Sequence, residues 1–307
     1  MTDGPSIDVV VREVGPRDGI QSISTPLPLD LKVRMVEAVL AAGVRRVEAG
    51  SFVSPKAVPQ MASTAEVFLK TQGEGREALV LNDKGVELAI AAGARTLVTV
   101  VAASDTFSRR NAGMPRDDAL TFAARALQTA RSAGVECVVD VATSFGCAYE
   151  GPVPVGTLAD LCSELSEAGY REITLADTTG MAAPPAVTTR VAAARRAAGP
   201  EVSVGLHFHN TRGLGLVNVL AGLDAGVRLF DASLGGLGGC PFSPGATGNV
   251  CTEDLVHLLH SLGVQTGIDL AALSALARDV EPELGVVLPG QVMRVPPALL
   301  SVGFDGS

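Results

Sequence analysis

Two spacings of apolar residues take turns along this chain. Short runs rich in Val, Leu and Ile recur at Val9–Val14, Arg46–Ala49, Ala78–Leu81, Leu97–Val101, Cys137–Val141, Glu172–Ala176, Val202–His207 and Leu229–Ala232. Between them lie Ala-rich stretches: Leu31–Ala42, Val86–Ala92, Ala119–Ala133, Thr157–Ala168, Pro185–Ala198 and Gly215–Ala225. The first set reads as buried strands and the second as helices. Several helical stretches run into Ala-Gly-Val or Ala-Gly-Ala, at Gly43, Gly93, Gly134 and Gly226. A glycine there relieves the left-handed position just past a helix, and the next strand begins at once.

Strand–helix alternation of this kind requires parallel pairing through right-handed crossovers. About eight such units predict an α/β fold, the TIM (β/α)8 barrel, with its active site at the C-terminal ends of the strands. A doubly wound open sheet is the competing architecture, and the lack of an early G-x-G-x-x-G after a strand weighs against it. The barrel is assigned to residues 1–282. The Pro- and Val-rich segment 283–307 falls outside the repeat and reads as a C-terminal extension.

Composition agrees with one large core: 307 residues, 47% hydrophobic and 19% charged. A formal net charge of −9 without an Arg/Lys-rich run argues against nucleic acid as a partner. No stretch approaches the ~18 uninterrupted apolar residues of a membrane span. The first six residues carry neither the basic start nor the apolar run of a signal peptide. The five cysteines include no C-x-x-C pair and read as reduced thiols, so the chain is expected in the cytoplasm.

His207 and His209 stand where one strand run ends. Residues two apart on a strand face the same way, which sets two imidazoles together about 7 Å apart along the backbone. With only four histidines in the chain, a shared divalent metal is favoured over a hydrogen-bonded pair capping the strand. Asp18 is the natural oxygen ligand unless it merely closes an Asx turn with Gly19. Asn249, in a glycine-rich loop, offers a carbonyl oxygen unless it is a plain turn residue. Such a nitrogen–oxygen set suits Mg²⁺ or Mn²⁺, whereas a third imidazole or thiolates would favour zinc. Arg17 can steady negative charge growing on a carbonyl oxygen, or it pairs structurally with Glu48 or Asp177. Asp177 is a candidate base or hydrogen-bond partner. Cys240 ends the run Gly235-Gly236-Leu237-Gly238-Gly239 and is either a proton donor on a mobile loop or an incidental thiol in a hinge.

Several blocks resemble the 3-hydroxy-3-methylglutaryl-CoA lyases, barrel metallolyases, over about residues 8–275. They are Val14-Gly15-Pro16-Arg17-Asp18-Gly19-Ile20-Gln21, Ser51-Phe52-Val53-Ser54-Pro55-Lys56 with Val58-Pro59-Gln60-Met61, and Gly146-Cys147-Ala148-Tyr149-Glu150-Gly151. The most specific is Gly236-Leu237-Gly238-Gly239-Cys240-Pro241-Phe242, continuing through Gly248-Asn249 to Thr252-Glu253-Asp254-Leu255. The resemblance implies metal-dependent cleavage of a 3-hydroxyacyl-CoA to acetyl-CoA and a keto acid, and it suggests a homodimer. It makes Asp18, His207, His209 and Asn249 the metal ligands, Arg17 the group that polarises the thioester, and Cys240 the loop cysteine that moves a proton. Glu48, Asp177 and Gln21 fall on active-site positions, His209 on a candidate base, and Asn82 and Lys84 beside coenzyme A.

Two departures bear on the substrate. Asn210-Thr211-Arg212-Gly213-Leu214 stands where the family has Asp-Thr-Tyr-Gly-Gln, and Ala142-Thr143-Ser144 lacks the usual Ser-Cys. Arg212 is therefore expected to add a cation beside the acyl pocket. 3-Hydroxy-3-methylglutaryl-CoA, giving acetoacetate, is the first expectation, and citramalyl-CoA, giving pyruvate, is the alternative. A condensing synthase or aldolase on another substrate, and a non-catalytic barrel that binds CoA esters, are the other readings.

Overall fold

The computed structural model describes residues 7–239 and 248–300. Eight parallel strands close on themselves in sequence order, β1 pairing with β8. They are β1 Val10–Glu13, β2 Arg46–Phe52, β3 Arg76–Val80, β4 Thr96–Ala102, β5 Glu136–Ala142, β6 Glu172–Asp177, β7 Ser203–Phe208 and β8 Leu229–Ala232. The outer ring contains α1 Leu29–Ala41, α2 Thr64–Lys70, α3 Asp83–Ala91, α4 Asp105–Asn111, α5 Arg116–Ser132, α6 Val155–Ala168, α7 Pro184–Ala198, α8 Gly215–Asp224, α9 Thr252–Ser261 and α10 Leu270–Leu284. All eight expected strands are present. The apolar spacing had not marked α2, α4, α9 and α10; the first two are only seven residues each, about two turns. No helix among the described residues is long and apolar enough to cross a membrane.

Each helix buries one stripe against the outside of the barrel. In α1 that stripe is Leu31, Met35, Val36 and Val39, all at most 2% exposed. Complete burial of such a side chain stabilises by about 1.5–3 kcal/mol. Gly43, Gly93, Gly134 and Gly226 all have positive φ, as their place after a helix demands.

The expected boundary at residue 283 falls inside α10, which ends two residues later at Gly285 in the left-handed conformation. Beyond it the chain docks on the barrel. Leu288 and Met293 are buried, Gly290 N–H donates to the Gly235 carbonyl at 2.9 Å, and Val292 N–H donates to Asp254 at 2.7 Å.

The barrel interior departs from the branched apolar layers common in this architecture. One wall is apolar: Leu79, Val98 and Val138 form a separate cluster with Val53, Leu81 and Val100. The opposite side is ionic. Arg12 lies fully buried on the axis. At the N-terminal end Arg46 of β2 reaches straight across to Glu172 of β6 with two hydrogen bonds of 2.7 and 2.8 Å, and it also pairs with Glu77. This strap closes the bottom of the barrel.

Candidate active site

Beyond β1 the chain makes a wide turn, Gly15–Gly19, opened by Pro16. The Val14 carbonyl accepts from the N–H groups of Arg17, Asp18 and Gly19 at 3.1, 2.7 and 3.2 Å. This fan of bonds lays the Arg17 and Asp18 side chains next to one another at the barrel mouth. Arg17 Nη1 donates to Asp18 Oδ1 at 2.6 Å, its Nε donates to buried Glu48, and Gln21 Nε2 donates to Asp18 Oδ1 at 3.0 Å.

From β7, His207 and His209 face inward as the two-residue period requires, with their Nε2 atoms 3.1 Å apart. His209 Nε2 lies 3.9 Å from Asp18 Oδ2. Asn249 is held beside them by a short bridge to His209. Its Nδ2 donates to Asp18 Oδ2 at 2.9 Å, while its Oδ1 is buried with no protein partner.

Asp231 on β8 accepts from His207 Nδ1 at 3.1 Å. That bond fixes the proton on Nδ1 and leaves the Nε2 lone pair facing the site, as a metal-bound histidine requires. One ligand atom each from Asp18, His207 and His209 lie within 4.8 Å of one another. Two converging imidazole nitrogens, a carboxylate oxygen and the unpartnered Asn249 oxygen therefore fit a divalent cation.

Electrostatics point the same way. Burial opposes the Asp18 charge, yet Arg17 and the two imidazoles hold its carboxyl down at about 2. Burial and the neighbouring His207 push His209 down to about 4, so it is neutral at neutral pH. Burial also opposes the His207 cation, but Asp231 outweighs it and raises that group. Beneath them Arg12 clasps Asp231 at 2.8 and 2.6 Å and Asp140 at 2.9 Å. Glu77 and Glu48 lie 3.5 and 3.8 Å from its Nη1. Arg12, Arg17 and Arg46 thus face Asp18, Glu48, Glu77, Asp140, Glu172 and Asp231. Carboxylates outnumber guanidiniums in a buried space, a balance that favours a bound cation.

A cavity of about 480 Å³ opens over this centre. Arg17, Asp18, Gln21, Asn82, His207 and His209 all line it, together with the apolar wall of Leu79, Leu81 and Val100. Glu48 stands behind Arg17 and pairs with it, while Arg17 itself lines the cavity. Asn82 also caps α3, its Oδ1 accepting from Gly85 N–H at 2.8 Å.

Among the described site residues, Lys84, Arg212 and Asp177 lie off the cavity lining, as do Glu48 and Asn249. Lys84 is exposed on α3 and paired with Glu87 at 3.1 Å, because a side chain in the first turn of that helix points outward. Arg212 is exposed, and its guanidinium binds the Thr179 and Gly180 carbonyls, bracing the loop after β6 instead of charging the acyl pocket. Asp177 spends both carboxylate oxygens on the N–H groups of Met181 and Ala182, at 2.7 and 3.0 Å, and so closes a turn. Burial still raises it to about 6. Cys240 lies outside the described residues.

Sequence reading missed Arg12, Asp140 and Asp231. The only trace of each is a charge set in a strand run, in Val10-Val11-Arg12-Glu13, Val139-Asp140-Val141 and Phe230-Asp231-Ala232.

Comparison with known proteins gives a consistent set of matches. The family model described as HMGL-like matches residues 8–280. The (R)-citramalyl-CoA lyase of Chloroflexus aurantiacus is 41% identical over 305 residues, covering 94% of this chain and 95% of the relative. The hydroxymethylglutaryl-CoA lyase of Pseudomonas mevalonii is 40% identical over 280 residues, 90% of this chain and 93% of the relative. Among solved structures, an HMG-CoA lyase from Acinetobacter baumannii in complex with coenzyme A and 3-methylmalate superimposes with a TM-score of 0.88. It shares 40% identity and the match covers 97% of this chain and 96% of that one.

Proposed function

The chain belongs to the HMGL-like family, and from that premise we propose a divalent-metal-dependent carbon–carbon lyase that cleaves a 3-hydroxyacyl-CoA to acetyl-CoA and a keto acid. The observation that carries this reading is the convergence of Asp18, His207 and His209 on one point beside Arg17 in a single cavity. Asp18, His207, His209 and Asn249 would hold the cation, Mg²⁺ or Mn²⁺ by its mixed oxygen and nitrogen donors. When bound, that cation supplies positive charge that lowers the pKa of the substrate's tertiary hydroxyl.

The chain's own groups then divide the work. Of the two candidate bases, Asp177 is committed to its turn, and neutral His209 has a single lone pair, so it would receive the hydroxyl proton by giving up its hold on the cation. As that O–H bond breaks, a carbonyl forms at the carbinol carbon and the bond to the adjacent methylene breaks. Its electron pair passes to the thioester as an enolate. The Arg17 guanidinium, held flat by Glu48 and Asp18, donates to the enolate oxygen. A proton delivered to the methylene carbon, the role we assign to Cys240, completes acetyl-CoA.

With 3-hydroxy-3-methylglutaryl-CoA the keto acid is acetoacetate. A second reading, citramalyl-CoA giving pyruvate, is favoured by the relative of that activity, which matches 94% of this chain. The test is incubation of purified protein with Mg²⁺, thiol reductant and each ester, reading keto acid and acetyl-CoA by mass. Turnover of either ester that EDTA abolishes is expected. Normal turnover by Asp18→Lys protein with no bound metal would refute the scheme.

A further inference from the structure

The cleavage scheme uses only one side of the cavity. The substrate's hydroxyl sits at the Asp18–His207–His209 cluster and its thioester oxygen at Arg17. Its carboxylate belongs on that side too, because Arg17 is the one guanidinium among the described residues that line the cavity. The carbinol carbon is tetrahedral. Its fourth arm, a methyl in both candidate esters, therefore points away from the charged groups and across the barrel.

What that arm meets is the apolar wall. Leu79 within β3 and Val100 within β4 line the cavity, with Leu81 beside them. They pack with Val98 and Val138 in a cluster separate from the core that joins strands to helices. The alternation of strand side chains turns this set to the inner face of the barrel. Ala142 and Ala176 continue the lining with short side chains and leave room in front of the wall. Val100 and Leu81 are only half-buried, so apolar surface is left facing the cavity. A methyl covers little of it, and an apolar lining in a concave site is what holds an apolar ligand group.

The coenzyme does not claim this surface. Coenzyme A is larger than a cavity of about 480 Å³, so the thioester arm leads out through the mouth, past the loops that follow the strands. Those loops carry apolar lining of their own, Ala57 and Val58 after β2 and Ala112 and Met114 after α4. Leu79 and Val100 lie inside the barrel, off that path.

We infer that the wall built on Leu79 and Val100 is a subsite for an apolar branch longer than methyl, so that the preferred substrate is a 3-hydroxyacyl-CoA with an alkyl chain of several carbons on its carbinol carbon. This inference rests on the lyase reading and names the substrate class of the same site.

The experiment compares 3-hydroxy-3-methylglutaryl-CoA and citramalyl-CoA with the counterparts in which butyl replaces the methyl. The readout is the ratio of kcat/KM, butyl over methyl, in the native protein and in Val100→Phe. Each buried methylene is worth about fourfold, so the native ratio is expected to exceed one by about tenfold or more. A phenyl ring in front of the wall is expected to lower that ratio at least about tenfold. Poor folding would lower both rates and leave the ratio in place. Val100→Leu, a smaller change at the same point, shifts it in the same direction if the phenylalanine variant cannot be purified. A native ratio below one, or a ratio that neither variant moves, overturns the inference while the lyase reading stands. Cleavage of none of the four esters by the native protein overturns both.

Discussion

Asp231 does not itself line the cavity, yet it decides which nitrogen of His207 faces the site. An asparagine there keeps the shape and puts an N–H₂ or a weaker acceptor against the imidazole. Outer partners of metal-bound histidines typically contribute 10–100-fold in affinity. Asp231→Asn is therefore expected to weaken Mn²⁺ binding by about that factor, and, because it also removes the carboxylate that Arg12 clasps through two bonds, to lower the melting temperature of the metal-free protein. Calorimetric affinity equal to that of the native protein would show that the tautomer is set some other way. The difference in legibility between His207 and Asp231 has a physical basis. The imidazole pair announces itself by a period of two along one strand. Arg12 and Asp231 meet across 219 residues of chain, and a single charge inside an apolar run says nothing about what lies opposite. Residue type alone also said nothing of direction for Lys84 and Arg212: helix and loop geometry turn them toward Glu87 and toward the Thr179 and Gly180 carbonyls.

Among elements, the glycine-rich loop after β8 is secured by two buried carboxyls. Glu13 accepts from Gly15 N–H and Leu234 N–H at 2.7 and 2.8 Å and from Thr252 Oγ1 at 2.6 Å. Glu253 accepts from Gly235 N–H at 2.8 Å. Burial raises Glu13 to about 8 and Glu253 to about 7. A carboxyl raised on folding keeps its proton where the unfolded chain, near pKa 4.3, has lost it. Folding stability from this source is then full below about pH 4 and falls as pH rises toward 8. Melting temperatures measured from pH 5 to 8 should decline, and Glu13→Gln should flatten the slope; an identical slope in that variant would remove Glu13 as its source. The loop's return is equally constrained. A Cβ on Gly248 would meet the Gly236 carbonyl oxygen at 2.5 Å and the Gly238 nitrogen at 2.8 Å, both backbone atoms that cannot step aside cheaply. Gly248→Ala should displace Asn249 and weaken Mn²⁺ binding at least tenfold, and an unchanged affinity would mean that the loop repacks around the methyl.

For the molecule as a whole, strand–helix alternation carried the barrel, because parallel pairing leaves few ways to close eight such units. It did not carry the docked tail, whose Pro- and Val-rich residues have no period and find their place against α9, α10 and Gly235 of the loop after β8. A cation that binds the folded barrel alone stabilises it by mass action, about 2.7 kcal/mol at a hundred times its Kd. Thermal scans with and without saturating Mn²⁺ should separate by a few degrees for a chain of this size, and coincident scans would deny a preformed site. The Arg46–Glu172 strap has a kinetic consequence. With the lower end shut, traffic among the described residues runs through one doorway, and the keto acid is formed behind the coenzyme. Acetyl-CoA has to leave first and the keto acid second, so the keto acid should compete with substrate for free enzyme while acetyl-CoA inhibits noncompetitively. Product-inhibition patterns of the opposite kind would mean that a second exit opens during turnover.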